Sequence, residues 1–278
     1  MNEPLVIIEV GMFSPVGLDA RQTLGSILAG IARKSETPFR DTAFEPIIVG
    51  HLPSDAIPPI VPSLVAPQSG LTPLQVRMIR LAGPALHEVL GAEPQAGEAE
   101  ANADAPSLTT SLSRSDMPPP PLFVAGPQPL PGKVELTSPS LAHHIARHTG
   151  LPIDVDASEV FTTGHAGFFD ALAAATAWLD GPDSGEFAIV GGVDSYFDEY
   201  RLSVLERAGR LQTAGPQDAF TPGEAAAFVL VTTKTRCRLH GLSPIAWIPA
   251  VGRALEPGHR HSQEPHRGDG LAEALDAV

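Results

Sequence analysis

The chain has 278 residues, 43% of them hydrophobic, and carries 18 lysines and arginines against 32 aspartates and glutamates. That is enough apolar material for at least one α/β core and enough length for one or two domains. The formal net charge of -14 repels phosphate backbones and anionic lipid surfaces, so neither nucleic acid nor a membrane is an expected partner.

The lone cysteine, Cys237, leaves no internal disulfide and no multi-cysteine zinc site. It fits a reducing cytoplasm. The opening Met1-Asn2-Glu3-Pro4 has no positive region ahead of the apolar run, unlike a signal peptide. No stretch approaches the ~20 apolar residues that span a bilayer. The expectation is a soluble cytoplasmic protein.

In chain order, Leu5 to Val10 is a short branched apolar run that predicts a buried strand ending at Gly11. A turn with Pro15 and Gly17 follows, then a helix with Leu24, Ile27, Leu28 and Ile31 on its apolar face. Residues 53–70, crowded with proline, predict a loop. Thr72, Pro73 and Gln75 form a helix start with a capping box, and Met78, Ile79, Ala82, Leu86 and Leu90 give that helix its buried face. Pro84 lies inside the pattern and predicts a kink or break. Residues 91–121, rich in alanine, serine, aspartate and proline, predict a flexible insertion. Leu122 to Ala125 predicts a strand, and Ser138-Pro139 opens a short helix running to Gly150.

Val155 to Phe161 predicts a strand leading into the turn Thr162-Thr163-Gly164-His165. A helix follows, with Phe168, Ala171, Leu172, Ala175, Trp178 and Leu179 at helical spacing. Phe187 to Val190 predicts a strand closed by Gly191-Gly192-Val193-Asp194, and Glu199 to Ala208 a helix. Strands at Ala227–Val231 and Ile245–Val251 are joined by a short basic segment. Strands alternating with helices predict a layered α/β sheet.

The order of these pieces resembles the β-ketoacyl synthase family of the thiolase superfamily. Four segments carry the resemblance: Gly11 to Gly17 after the opening strand; the strand, elbow and helix around 160–180 leading into Gly191 to Ser195; Phe220 to Ala226, similar to the family's "G-F-x-x-G-E-G-A"; and Gly241–Gly252 with Pro265–Leu275, similar to the crossover into the second half. It covers most of 1–50 and nearly all of 138–278. It implies a thiolase-like layered αβαβα fold, with 1–248 as the ketosynthase-like N-terminal domain and 249–278 as the truncated start of the C-terminal half.

In that family a cysteine on the sharp strand-to-helix turn is acylated as a thiolate, favoured by the helix N-terminus. The resemblance places His165 at the cysteine's position. Imidazole does not hold a stable acyl group, so ordinary condensation is expected to fail. The two further catalytic residues of the family's second half, usually histidines, are absent from 1–278. The implied function is a β-ketoacyl synthase-like protein of fatty-acid or polyketide type, catalytically impaired and acting as partner or scaffold. An acyl carrier protein or acyl thioester is a candidate ligand, and a homodimer or a heterodimer with a ketosynthase the implied assembly. The alternative is an active acyltransferase that uses His165 as a general base or a separately encoded second half. A remnant without a role is the third reading, and His165 has a purely space-filling reading as well.

Other residues carry weaker signals. Cys237, between Arg236 and Arg238, reads as an incidental thiol. His144 and His148 have metal-compatible i, i+4 spacing beside His143, but no third ligand is evident, and a solvated or capping role is expected. His259, His261 and His266, near Glu264, read as a polar surface loop. Asp194 reads as closing the Gly191-Gly192 turn, with orientation of a neighbour as the alternative. Glu224 reads as a structural salt bridge or backbone hydrogen bond rather than an acid–base group. Gly11 and Gly17 are wrongly spaced for a dinucleotide fingerprint. No cofactor and no metal are expected.

Overall fold

The computed structural model describes residues 3–65, 69–91, 117–130, 140–182, 184–213, 219–259 and 262–278. Most of the expected insertion therefore lies outside the described residues, as do Ser138 and Pro139. In chain order the elements are β1 (Leu5–Phe13), α1 (Ala20–Leu28), β2 (Ser35–Arg40), β3 (Pro46–Val49), α2 (Pro62–Val65), α3 (Pro73–Leu90), β4 (Pro121–Ala125), α4 (Ser140–Thr149) and β5 (Asp154–Phe161). A 3-10 turn (Gly164–Ala166) leads into α5 (Gly167–Leu179), followed by β6 (Ala188–Ser195), α6 (Glu199–Arg207), β7 (Glu224–Thr233), α7 (Lys234–Leu239), β8 (Ala246–Ile248) and α8 (Asp269–Asp276).

Six strands form one mixed sheet in the order β5-β4-β6-β7-β1-β8, and β2 and β3 form a separate hairpin pair. β4 pairs parallel with β5 and with β6, whereas β6-β7, β7-β1 and β1-β8 are antiparallel. The alternation of side chains along a strand sorts the core into two faces. Val6, Ile8, Leu122, Val124, Ile189, Phe228 and Leu230 face α3 and α4. Leu5, Phe123, Ala188, Val190 and Val231 face α5. The result is a layer of helix on each side of one mixed sheet, the α/β arrangement expected.

α3 begins where its capping box predicts. Gln75 donates its backbone N–H to Thr72 Oγ1 at 3.2 Å, and Thr72 N–H reaches Gln75 Oε1 at 2.8 Å. It ends on Gly91 in the left-handed region. Pro84 does not divide it: the helix is continuous from Pro73 to Leu90. Proline forfeits one ladder bond, and burial of Leu81, Ala82, Ala85, Leu86 and Val89 offsets that loss.

Several expectations are corrected. The apolar stripe of α1 faces outward: Leu24, Ile27 and Leu28 are exposed, Ile31 lies beyond the helix and is exposed too, and Ala20 and Thr23 are buried instead. Hydrogen bonds fix that orientation. Glu88 accepts from Met12 N and Ala20 N, Thr23 Oγ1 donates to Gly17 O, and Ser26 Oγ donates to Val16 O. The proline-rich loop contains the helical turn α2, whose Leu64 joins Ile57 in the core. The end of the expected insertion belongs to the fold, since Met117 packs on the core and Pro121 opens β4. The glycine pair 191–192 lies inside β6 rather than closing it. The strand expected over 227–231 spans ten residues, and that expected over 245–251 only three.

Candidate functional site

The elbow between β5 and α5 forms as the sequence predicts, but with a 3-10 turn at its apex that carries His165. Gly164 has φ 74°, a left-handed conformation that costs any residue with a Cβ. The turn is tied down on both sides. Thr163 Oγ1 donates to Asp170 Oδ2 at 2.5 Å, and Arg253 Nη1 donates to Asp170 Oδ1 at 2.8 Å. Gly126 N–H donates to Phe161 O at 2.8 Å, which joins the end of β4 to the end of β5. His165 is thereby presented at the C-terminal ends of parallel strands, where open α/β sheets place their ligands. Its side chain is exposed.

His165 stands on the rim of a cavity of about 750 Å³. Phe168, Val193, Val204, Leu205 and Phe228 supply much of its apolar wall; Asp194 and Arg201 supply charge. The described lining residues include no cysteine, serine or threonine. Gly191 lets β7 approach closely, because a Cβ there would lie 2.2 Å from Ala227 O and 2.3 Å from Phe228 Cδ1. Asp194, expected to close a turn, points its carboxylate into this cavity from within β6. Its Oδ1 accepts Ser195 N–H at 2.7 Å and lies 3.3 Å from Arg201 Nη1. Desolvation raises the Asp194 carboxyl above its ordinary pKa, while the Arg201 guanidinium, the Ser195 N–H and the His165 charge pull it down. Orientation of a neighbouring charged group, the alternative reading of Asp194, matches this arrangement better than turn closure.

Arg201 was not singled out from the sequence. Its signal was available, because Arg201, Val204 and Leu205 share one face of α6 at i, i+3 and i+4, and that face turns to the cavity.

Glu224 is the structural group expected. Its carboxylate accepts Arg77 Nε and Nη2, each at 2.6 Å, Ser195 Oγ at 2.7 Å and Leu52 N–H at 2.8 Å. Its side chain is fully buried, and Arg77 also lies 4.2 Å over the Phe197 ring. This network ties the start of β7 to the end of β6, to α3 and to the loop at Leu52, which sets the wall of the cavity.

The remaining candidates lie elsewhere. Cys237 is buried in the α3 face of the core and donates to Leu242 O. His144 and His148 are half-buried on α4 rather than solvated. A Cβ on Gly83 of α3 would stand 3.4 Å from His148 Nε2. Burial, aided by the nearby His87 and Arg80 charges, lowers the His148 pKa to about 4. Among the described residues no group of three or more His, Cys, Asp or Glu is placed to hold a metal ion. His259 and His266 are exposed, and His261 lies outside the described residues.

No family model and no curated protein matches this sequence. Solved structures do match its fold. The oxazolomycin ketosynthase domain of Streptomyces albus JA3453 superposes with a TM-score of 0.69 at 17% identity, over 99% of this chain and 51% of that one. A ketosynthase in complex with its chain length factor from Xenorhabdus doucetiae gives 0.68 at 15% identity, over 99% and 67%. The ketosynthase from module 6 of the bacillaene synthase of Bacillus subtilis 168 gives 0.62 at 13% identity, over 93% and 44%. The chain thus spans about half to two thirds of the length of these proteins. Two layers of helix on one mixed sheet give this chain the thiolase-like fold of these ketosynthases.

Proposed function

We propose that the chain is a ketosynthase-like subunit of fatty-acid or polyketide type that binds acyl groups without condensing them, and acts as partner or scaffold to an active ketosynthase. The observation that carries this reading is the imidazole at the elbow. His165 stands over an acyl-sized cavity whose described lining has no cysteine, serine or threonine, so the thiol or aliphatic hydroxyl that ordinarily captures a thioester is missing there. The ligand would be an acyl thioester, free or on a carrier protein, and no cofactor is needed. A cytoplasmic setting belongs to the same reading. Among the described residues no helix is long and apolar enough to cross a membrane.

Two surfaces fit an assembly. α5 (Gly-Phe-Phe-Asp-Ala-Leu-Ala-Ala-Ala-Thr-Ala-Trp-Leu) is apolar around most of its circumference, a pattern of helices covered on all sides, yet Phe169 is exposed. A second cavity of about 720 Å³ opens between its outer residues Ala173, Thr176 and Ala177 and the segment at Pro249, Val251 and Val278. Residues 249–278 as the start of a second half, and a chain resembling the remainder of the matched ketosynthases above them, would cover that face. β5, eight residues long at the sheet edge, suits strand addition by a second copy or by a ketosynthase.

The second reading, an acyltransferase with His165 as general base, is favoured by Asp194, whose carboxylate lines the same cavity as His165. Following turnover of a mass-tagged acyl thioester by the purified chain, with a free thiol as acceptor, separates the two. The partner reading expects the thioester to stay intact beyond its background rate. Acyl transfer or hydrolysis by the native chain that disappears in His165→Ala would overturn it.

A further inference from the structure

We infer that the cavity beside His165 prefers acyl chains bearing carbonyl or hydroxyl oxygens to saturated chains of the same length, and that Arg201 is the residue that reads the oxygen. This rests on the reading of the cavity as an acyl site and names the class of chain it selects.

Arg201 is 5% exposed and forms part of the cavity wall. Nε and Nη1 of its guanidinium are buried without a hydrogen-bond partner among the described residues. Nη1 lies 3.3 Å from Asp194 Oδ1, close enough for an ion pair but outside hydrogen-bond geometry. The guanidinium is held in place by the Tyr196 ring, 4.8 Å from its carbon. Buried donors left unpaired in the wall of a largely apolar cavity are costly, and a native structure rarely keeps them without a purpose.

The charge balance decides what fills the need. Asp194 already neutralises Arg201 through space, so a ligand carboxylate would add a second anion to a pair that is balanced. What remains unmet is hydrogen-bond acceptance, and an uncharged oxygen supplies it without new charge. A saturated chain leaves those N–H groups without partners and gains only contact with Phe168, Val204, Leu205 and Phe228. A chain with a keto or hydroxyl group gains the same contacts and satisfies the arginine. A site built to hydrogen-bond a polar group rejects the analogue that lacks it more strongly than an apolar pocket rejects an added hydroxyl.

The test is equilibrium dialysis of the purified full chain with the N-acetylcysteamine thioesters of octanoate, 3-oxooctanoate and 3-hydroxyoctanoate. The native chain should bind the oxygenated thioesters roughly tenfold more tightly than the octanoyl one, as for a hydrogen bond to a charged donor. In Arg201→Met, which keeps the length of the side chain and removes its donors, the preference should vanish while octanoyl binding holds or tightens. If that variant does not fold, Arg201→Gln takes its place, and its preference should fall below about threefold. Equal affinities in the native chain, or a preference that survives in the variant, would overturn the inference and leave the acyl-site reading standing. Binding of none of the three thioesters would overturn both.

Discussion

Replacing Glu224 with alanine tests the ion pair that builds the cavity wall. The side chain of Glu224 is fully buried and that of Arg77 is 8% exposed. Deleting the carboxylate leaves the guanidinium, Ser195 Oγ and Leu52 N–H without the acceptor they share. Breaking a buried pair from one side costs about 3–5 kcal/mol, because the surviving charge stays desolvated. At about 2–4 °C per kcal/mol for a domain near this size, the melting temperature should fall by roughly 10 °C. Two features temper the loss: Arg77 still donates to Leu52 O at 2.7 Å and still stacks on Phe197. The double variant Arg77→Met with Glu224→Leu removes both charges and should recover most of the stability. Urea unfolding of the native chain and the two variants, read at constant m-value, gives the numbers. A Glu224→Ala chain within about 0.5 kcal/mol of the native one, the range of an ordinary surface change, would refute the reasoning.

Three further outcomes follow from named residues. His148 has a folded pKa of about 4 against 6.5 for an ordinary histidine, so its contribution is fully present above pH 6.5 and is lost as pH falls towards 4. Urea midpoints followed across that range should decline less in His148→Leu than in the native chain; identical pH curves would contradict the burial of this ring. Gly164→Ala forces a Cβ into the left-handed region, and within 3.3 Å of Gln128 Oε1, and should lower stability by about 1–2 kcal/mol in thermal unfolding. Cys237, 3% exposed, should resist a thiol reagent in the folded chain and react fully in denaturant; rapid native modification would contradict its place in the core.

The sequence revealed most where local chemistry and packing agree. The capping box at Thr72 and Gln75 marked the start of α3 to the residue, and the branched run at Leu5 marked β1. The elbow was legible because a strand, a glycine and a helical pattern follow one another without a gap. Periodicity misled at α1, where Leu24, Ile27 and Leu28 form a good stripe but point outward. The hydrogen bonds to Glu88 and Gly17 that turn the helix join residues far apart in sequence, and no local pattern records them. Pro84 misled for the same reason, since its one lost bond is outweighed by packing of α3 against β1, β7 and α4. The β2-β3 hairpin pair went unread because Pro38 and a polar stretch interrupt its alternation. At the site, His165 was found by its position on the elbow, whereas Arg201 emerged only when α6 was seen to turn its Arg201-Val204-Leu205 face to the cavity.

Installing the missing nucleophile addresses the elbow most directly. His165→Cys puts a thiol at the head of α5, where the helix N-terminus favours the thiolate, above the cavity at Phe168 and Asp194. Intact-mass measurement after incubation with octanoyl-N-acetylcysteamine should show one octanoyl group on this variant, mapped to residue 165 by peptide sequencing, and none on the native chain. A variant that stays unmodified while folded, or a native chain that gains the same acyl group, would contradict the account.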